Sequence, residues 1–244
     1  MVEVLFIADL HLEQSNKTVN KTFETFLQTV AIETKRLYIL GDFFNFWIGD
    51  DVMTEWHRGI ATKLAELSQK GVEIFFMAGN RDFLLGKQFA RLANCKLLAD
   101  PTLIKLGEQK ALLKHGDDLC TLDKRHQLFR KITRLRIVKA LFLTFPQRLR
   151  LAIAQKLRRM SYKHNKERPK KILDVVDEAV ISCLEKAQSD ILIHGHTHKP
   201  QVHHFKVKNS VKTRYVVGDW SDTCLYLCYD STKGLIIKQF CCED

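Results

Sequence analysis

Three short apolar runs limit what this chain can become. Residues 2–8, 37–40 and 72–78 are each long enough for one strand and too evenly apolar for a strand with a wet face. Each stops at polar groups: Asp9-Leu10-His11, Gly41-Asp42 and Gly79-Asn80-Arg81-Asp82. Runs of this kind are central strands of an α/β sheet, covered on both faces. Helical spacing fills the gaps between them. Phe23, Phe26, Leu27, Val30 and Ala31 mark one face of a helix over 17–34. Trp56, Ile60, Leu64 and Leu67 mark another, starting at Thr54 with Gly71 as its C-cap. The polar stops therefore gather at the C-terminal rim of a parallel sheet, where α/β proteins bind ligands.

Beyond Pro101 the pattern continues with strands at 103–106 and 110–115, the second running into His115-Gly116-Asp117-Asp118. A helix over 173–187 and a strand over 190–194 lead to His194-Gly195-His196-Thr197-His198, three imidazoles at strand spacing. Strands at 202–207, 212–217, 223–229 and 235–240 are expected to form a second sheet packed on the first. Alone, the histidine triplet reads equally as a metal site or a polar strand end. The other strand ends decide between these, because Asp9, His11, Asp42, Asn80, His115, His196 and His198 together form an oxygen and nitrogen donor set without thiolates. Such a set suits borderline divalent metals. Seven ligands are too many for one ion and fit two ions about 3.5–4 Å apart, an arrangement suited to in-line attack at phosphorus.

The 244 residues suffice for one core, so we read 1–244 as a single domain. No stretch of about eighteen apolar residues is present, and 2–8 is too short for a signal-peptide core, so the expectation is a cytoplasmic protein that does not span a membrane. The seven cysteines contain no CxxC pair and are expected to be reduced thiols. The net charge of +11 is concentrated in one place: residues 124–171 hold seventeen Lys or Arg and one acid, Glu167, and the remainder of the chain is acidic. Within that insert Leu128, Ile132, Leu135, Val138, Phe142 and Phe145 form one helical stripe, Pro146 breaks it, and Leu149, Ile153, Leu157 and Met160 form a second. Two basic amphipathic helices of this kind fit a solvated charged face, or a surface for phosphates, nucleic acid or anionic lipid.

The ordered string Asp9-x-His11, Gly41-Asp42, Gly79-Asn80-x-Asp82, His115 and Gly195-His196-x-His198 resembles the calcineurin-like metallophosphoesterase superfamily. The resemblance implies a four-layer α/β/β/α sandwich. It places Asp9, His11 and His198 on one metal ion, Asn80, His115 and His196 on the other, and Asp42 between them. Longer stretches (5–12, 47–51, 79–83, 115–121 and 194–198) are similar to the UDP-2,3-diacylglucosamine pyrophosphohydrolase family of lipid A biosynthesis over nearly the whole chain. That similarity implies two Mn2+ ions and hydrolysis by water attack at the α-phosphorus, giving UMP and 2,3-diacylglucosamine 1-phosphate (lipid X). It also implies a lid built from 124–171 and substrate contacts from Asn80, Arg81, Asp123, Ser161, Asn165, Arg168 and His196. Arg168 stands where the family carries lysine, and Leu122 where an acid is common. The implied setting is peripheral, on the cytoplasmic face of the bacterial inner membrane, with a lipid-nucleotide substrate, no nucleic acid and no obligate protein partner.

Arg81 is the most discriminating position. Many superfamily members have a histidine there that protonates a basic leaving group, whereas a sugar 1-phosphate is a weak base and needs only a fixed cation to stabilise its charge. The plainer reading of Arg81 is a surface ion pair with Asp82. His194 is not needed as a ligand and is expected to pack beside the strand end. Two other functions remain open from sequence: another calcineurin-like phosphodiesterase or nuclease whose insert grips a polynucleotide, and a catalytically silent scaffold. Continuous apolar stripes speak against the first and the intact ligand set against the second.

Overall fold

In the computed structural model, residues 2–166, 169, 172–207, 210–220 and 223–241 are described, with 162–166 described for backbone only. The first sheet is formed by β1 (Val2–Ile7), β2 (Arg36–Ile39), β3 (Glu73–Met77), β4 (Cys95–Leu98), β10 (Leu225–Asp230) and β11 (Gly234–Gln239), in the order β11-β10-β1-β2-β3-β4. The second is formed by β5 (Thr102–Leu106), β6 (Gln109–Lys114), β7 (Ile191–His194), β8 (Gln201–Val207) and β9 (Ser210–Val216), in the order β5-β6-β7-β9-β8. β1 to β4 run parallel, as do β6, β7 and β9.

Alternate side chains show why the strands read as unbroken apolar runs. Leu5 and Ile7 of β1, Leu37 and Ile39 of β2, and Ile74 and Phe76 of β3 join one core with helices α1 (Lys17–Thr29), α2 (Glu55–Gln69) and α3 (Lys87–Leu92). Their neighbours Val4, Phe6, Tyr38, Phe75 and Met77 face the other way, into a core shared with Ala111, Leu113, Ile191 and Ile193 of the second sheet. Leu112 and Leu192 point outward again, onto Val180 and Leu184 of α7 (Asp177–Ala187). Three apolar interfaces separate four layers, the expected α/β/β/α sandwich.

The structure differs from the sequence reading in four places. The C-terminal strands do not all enter the second sheet: β10 pairs antiparallel with β1 and carries β11 with it. β10 is buried on both sides, Tyr226 and Cys228 toward the helices and Leu227 and Tyr229 toward the second sheet, as suits a strand inside the first sheet, between β11 and β1. The helix over 173–187 starts only at Asp177, because Val176 N–H donates to Leu119 C=O and Asp174 pairs with Lys199, holding 173–176 in turns. The pair α3 and β4 escaped the pattern; α3 is short, and its N-terminus is capped from a distance by Asp50, whose carboxylate accepts from the amides of Gly86, Gln88 and Phe89.

The insert forms three helices instead of two: α4 (Lys124–Thr133), α5 (Arg136–Leu143) and α6 (Gln147–Lys166). α4 ends where the Arg134 guanidinium turns down to the carbonyls of Ala78 and Gly79. Its cations do not all face water. Arg130 pairs with Asp117 and Asp100, and Lys139 donates to Phe83 C=O. Much of the apolar stripe is instead open, with Leu128 60% and Leu135 52% exposed, while Val138, Phe142 and Phe145 are half-buried.

Candidate metal centre

The C-terminal ends of β1, β2 and β3 in one sheet and of β6 and β7 in the other meet at a single rim. Asp9, His11 and His198 bring donor atoms within 4.8 Å of one another, and so do Asp42, His115 and His196. Asn80 joins the second group, its Oδ1 3.0 Å from His115 Nε2. All seven residues selected from the sequence are thus drawn together.

The backbone here is unusual. Asp9, His11, Asp42, His196 and His198 all have left-handed φ, from 50° to 70°. That region is sparsely used by residues with a Cβ, so a cluster of it marks a site held against local preference. The holding is visible in the loop bonds: Asp9 N–H to Gly41 C=O, His11 N–H to Asp42 C=O, and Gly195 N–H to His115 C=O. Glycine permits the crowding. A Cβ on Gly41, whose φ is +92°, would sit 2.5 Å from the Gly79 nitrogen, and one on Gly195 would run into the Asp9 carboxylate.

The donor chemistry fits cations. His115 Nδ1–H donates to Leu40 C=O at 2.9 Å, which leaves the Nε2 lone pair facing Asn80 Oδ1 at 3.0 Å and Asp42 Oδ1 at 3.6 Å. His198 Nδ1–H donates to Asp219 at 2.9 Å and turns its Nε2 toward His11 Nε2, 3.1 Å away, and Asp9 Oδ1, 3.7 Å away. Acceptors aimed at one another are stable only with a cation or a proton between them, and the buried Asp9 Oδ1 has no hydrogen-bond partner. The titration shifts agree. Burial, with Asp42 nearby, pushes the Asp9 carboxyl up to about 7. His115 rises to about 9: burial opposes its charge, but Asp42, Asp117 and Asp9 outweigh it. Burial and the neighbouring His115 hold His196 well below its ordinary range.

Arg81 does not pair with Asp82. Its amide and Nε both reach Asp42, at 2.8 and 3.4 Å, and Nη1 donates to Asn45 Oδ1 at 3.0 Å. Asn45 in turn donates to Glu13. Asp82 turns inward instead, fully buried, and accepts from the amides of Gly79 at 2.7 Å and Phe43 at 2.8 Å, tying the β2 and β3 loops together. His194 is fully buried, its Nδ1 bonded to Gly195 C=O and its pKa lowered to about 3 by burial, in keeping with a packing role.

Two groups at the rim, Asp219 and His126, are not marked by the sequence pattern. Asp219, which orients His198, follows β9 as Gly218-Asp219, the same Gly-Asp strand ending that exposed Asp42. His126 of α4 stacks on His196 with ring centres 5.9 Å apart. Asp123 caps α4 by accepting from the His126 amide, and Ser161 lies exposed on α6. The side chain of Asn165 and the whole of Arg168 fall outside the described residues. A cleft of about 520 Å³ runs from Leu12 and Asn45, the partner of Arg81, along Phe46, Trp47, Met53 and Trp56 to Gln147 and Leu151 of α6.

Residues 2–200 match the family model described as calcineurin-like phosphoesterase. The chain is 45% identical over 219 residues to UDP-2,3-diacylglucosamine hydrolase of Aeromonas salmonicida, covering 90% of this chain and 86% of the relative. It is 41% identical over 236 residues to the protein of the same name from Tolumonas auensis, covering 96% of each. Among solved structures it is similar in fold to a novel archaeal phosphodiesterase, with a TM-score of 0.50, 11% identity, and coverage of 97% of this chain and 99% of that one.

Proposed function

The chain belongs to the calcineurin-like phosphoesterases and, within them, to the UDP-2,3-diacylglucosamine hydrolases, and on that premise we propose that it hydrolyses the pyrophosphate bond of UDP-2,3-diacylglucosamine. Water attacks the α-phosphorus, and the products are UMP and 2,3-diacylglucosamine 1-phosphate. The observation that carries this reading is the pair of donor clusters, one of them built on Asp42, with an apolar cleft beside them whose lining includes Asn45, the partner of Arg81. Asp9, His11 and His198 would hold one divalent ion and Asn80, His115 and His196 the other, with Asp42 between them and Mn2+ as the metal. Bound there, the two ions supply Lewis-acid charge and an activated water for in-line displacement at phosphorus.

The protein's own groups do the positioning. Asp219 and Leu40 C=O fix which nitrogen of His198 and His115 faces the centre. Arg81 is braced on Asp42 and Asn45, so its guanidinium stands ready for the charge that grows on the leaving phosphate. His196 is kept neutral by burial and presents its ring to the same space. Asp123, Ser161, Asn165 and Arg168 complete the sugar and phosphate contacts in this reading. The aromatic walls of the cleft suit an acyl chain. The insert acts as a lid over 124–171 of the single domain. Its open apolar side chains, set among lysines and arginines, suit shallow contact with anionic lipid on the cytoplasmic face of the inner membrane. No helix among the described residues is long and apolar enough to cross a membrane.

The test is turnover of UDP-2,3-diacylglucosamine in detergent micelles with Mn2+, a chelator control and oxygen-18 water. Label is expected in UMP; label in the lipid phosphate overturns the α-phosphorus assignment, and an intact substrate overturns the function. A paired comparison checks the ligand set. His196→Gln should lower ion affinity at least about tenfold by calorimetry, as expected for a lost ligand, whereas His194→Gln should leave it within about threefold.

A further inference from the structure

Among the described side chains of α6 most are exposed, Leu151, Ile153 and Ala154 are half-buried, and one is buried outright. Arg150 is only 3% exposed, although Gln147 and Leu151 beside it line the outer end of the cleft. Its Nη1 donates to Ile48 C=O and to Asp51 Oδ1, both at 2.8 Å, and its Nη2 pairs with Asp51 Oδ2. A two-pronged pair between arginine and carboxylate fixes direction as well as distance. The loop is shaped to receive it. Gly49, at φ +132°, lies under the guanidinium, and a Cβ there would stand 2.5 Å from Arg150 Nη1 and 2.9 Å from Leu143 of α5. Ile48 and Gly49 also line the cleft, so the clasp joins the wall supplied by the insert to the wall supplied by the core.

We propose that the Arg150–Asp51 clasp is a positioning device that holds α6 as the outer wall of the cleft and thereby sets how tightly the enzyme holds long acyl chains. This rests on the substrate reading above. Neither residue belongs to the donor clusters, so the clasp acts on binding and leaves the chemical step alone. It divides the work of two adjacent acids: Asp50 caps α3 and accepts from Trp47 Nε1, whereas Asp51 reaches outward to the insert.

The test compares Arg150→Ala, Arg150→Lys and Asp51→Asn with the wild-type protein on UDP-2,3-diacylglucosamine in micelles with Mn2+. Arg150→Ala is expected to raise KM about tenfold or more while kcat and Mn2+ affinity stay within about threefold, and Arg150→Lys to recover part of the loss by keeping the charge and one donor. With the acyl chains cut to acetyl groups, the KM values of variant and wild type should converge, which a general loss of folding would not produce. An unchanged KM in Arg150→Ala overturns the clasp, as does a parallel fall in kcat and Mn2+ affinity or a KM ratio that persists on the acetyl substrate. A wild-type protein that leaves the long-chain substrate intact overturns the proposed function itself.

Discussion

Asp42→Asn is expected to lower turnover by about three orders of magnitude and to leave the metal-free protein at least as heat-stable as the wild type. The first half follows from position, since Asp42 contacts His115 and Arg81 and belongs to the buried acid cluster beside both groups of candidate ligands. The second follows from charge. Asp9, Asp42 and Asp82 are buried close together; Asp82 is pushed up to about 6 by burial and by Asp42, and Asp9 to about 7 by burial, with Asp42 adding to it. Removing the middle charge relieves both neighbours, and the amide oxygen can still accept from Arg81 N–H. Stability given up for activity is common at such sites. Thermal unfolding in chelator, read beside kcat, is the measurement. A residual rate within about tenfold of wild type, or a clear fall in Tm, would show that Asp42 is a structural acid.

Metal removal should have an effect that grows with pH. The folded-state pKa of Asp9 is raised from 3.8 to about 7, so its contribution to metal-free stability is full below about 4 and is lost as pH rises through 7. His115, raised from 6.5 to about 9, contributes below 6.5 and loses that contribution by about 9. The lowered pKa values of His11 and His196 work in the opposite sense, but only below 6.5. Between 6.5 and 9 Asp9 and His115, joined by His198, whose pKa is also raised, lose their contributions in the chelated protein. Lys139, lowered to about 8, works the other way above 8 but does so in loaded and chelated protein alike, so it cancels from the difference. Divalent ions bind the deprotonated forms, so their affinity rises across the same window. An ion at about a thousand times its Kd contributes about 4 kcal/mol, or roughly 10 °C in Tm for a chain of this size. The gap in Tm between Mn2+-loaded and chelated protein is therefore expected to widen from pH 6.5 to 9. A gap that stays constant over that range would exclude Asp9 and His115 as ligands.

Much of the site could be read from the chain because each candidate ligand ends a strand buried on both faces, and such strands leave continuous apolar runs. Asp9, Asp42, Asn80, His115 and His196 were visible for that reason. Asp219 was not, since β9 is buried on alternate residues only and carries Lys212 and Arg214 on the face toward α7. The assignment of β10 to the first sheet also escaped, because a both-face-buried strand looks the same in either sheet. In the insert, the spacing gave the helices but misjudged their facing. Arg130, Arg134 and Arg150 are the residues tied down, by Asp117, two backbone carbonyls and Asp51, and periodicity alone assigns buried faces to leucines.

The left-handed backbone at five of the candidate ligands bears on whether this centre could be moved elsewhere. Transplanting Asp-x-His, Gly-Asp, Gly-Asn-x-Asp and Gly-His-x-His onto another pair of sheets would carry over the side chains but not the torsions. Each such residue would relax toward right-handed φ, at a cost of about 1 kcal/mol to reverse, unless neighbouring loops pressed it back. The press here is mutual: Gly41 against Gly79, and Gly195 against Asp9. The transferable unit is therefore the set of five interlocked loops, and a host protein would have to accept all of them at once.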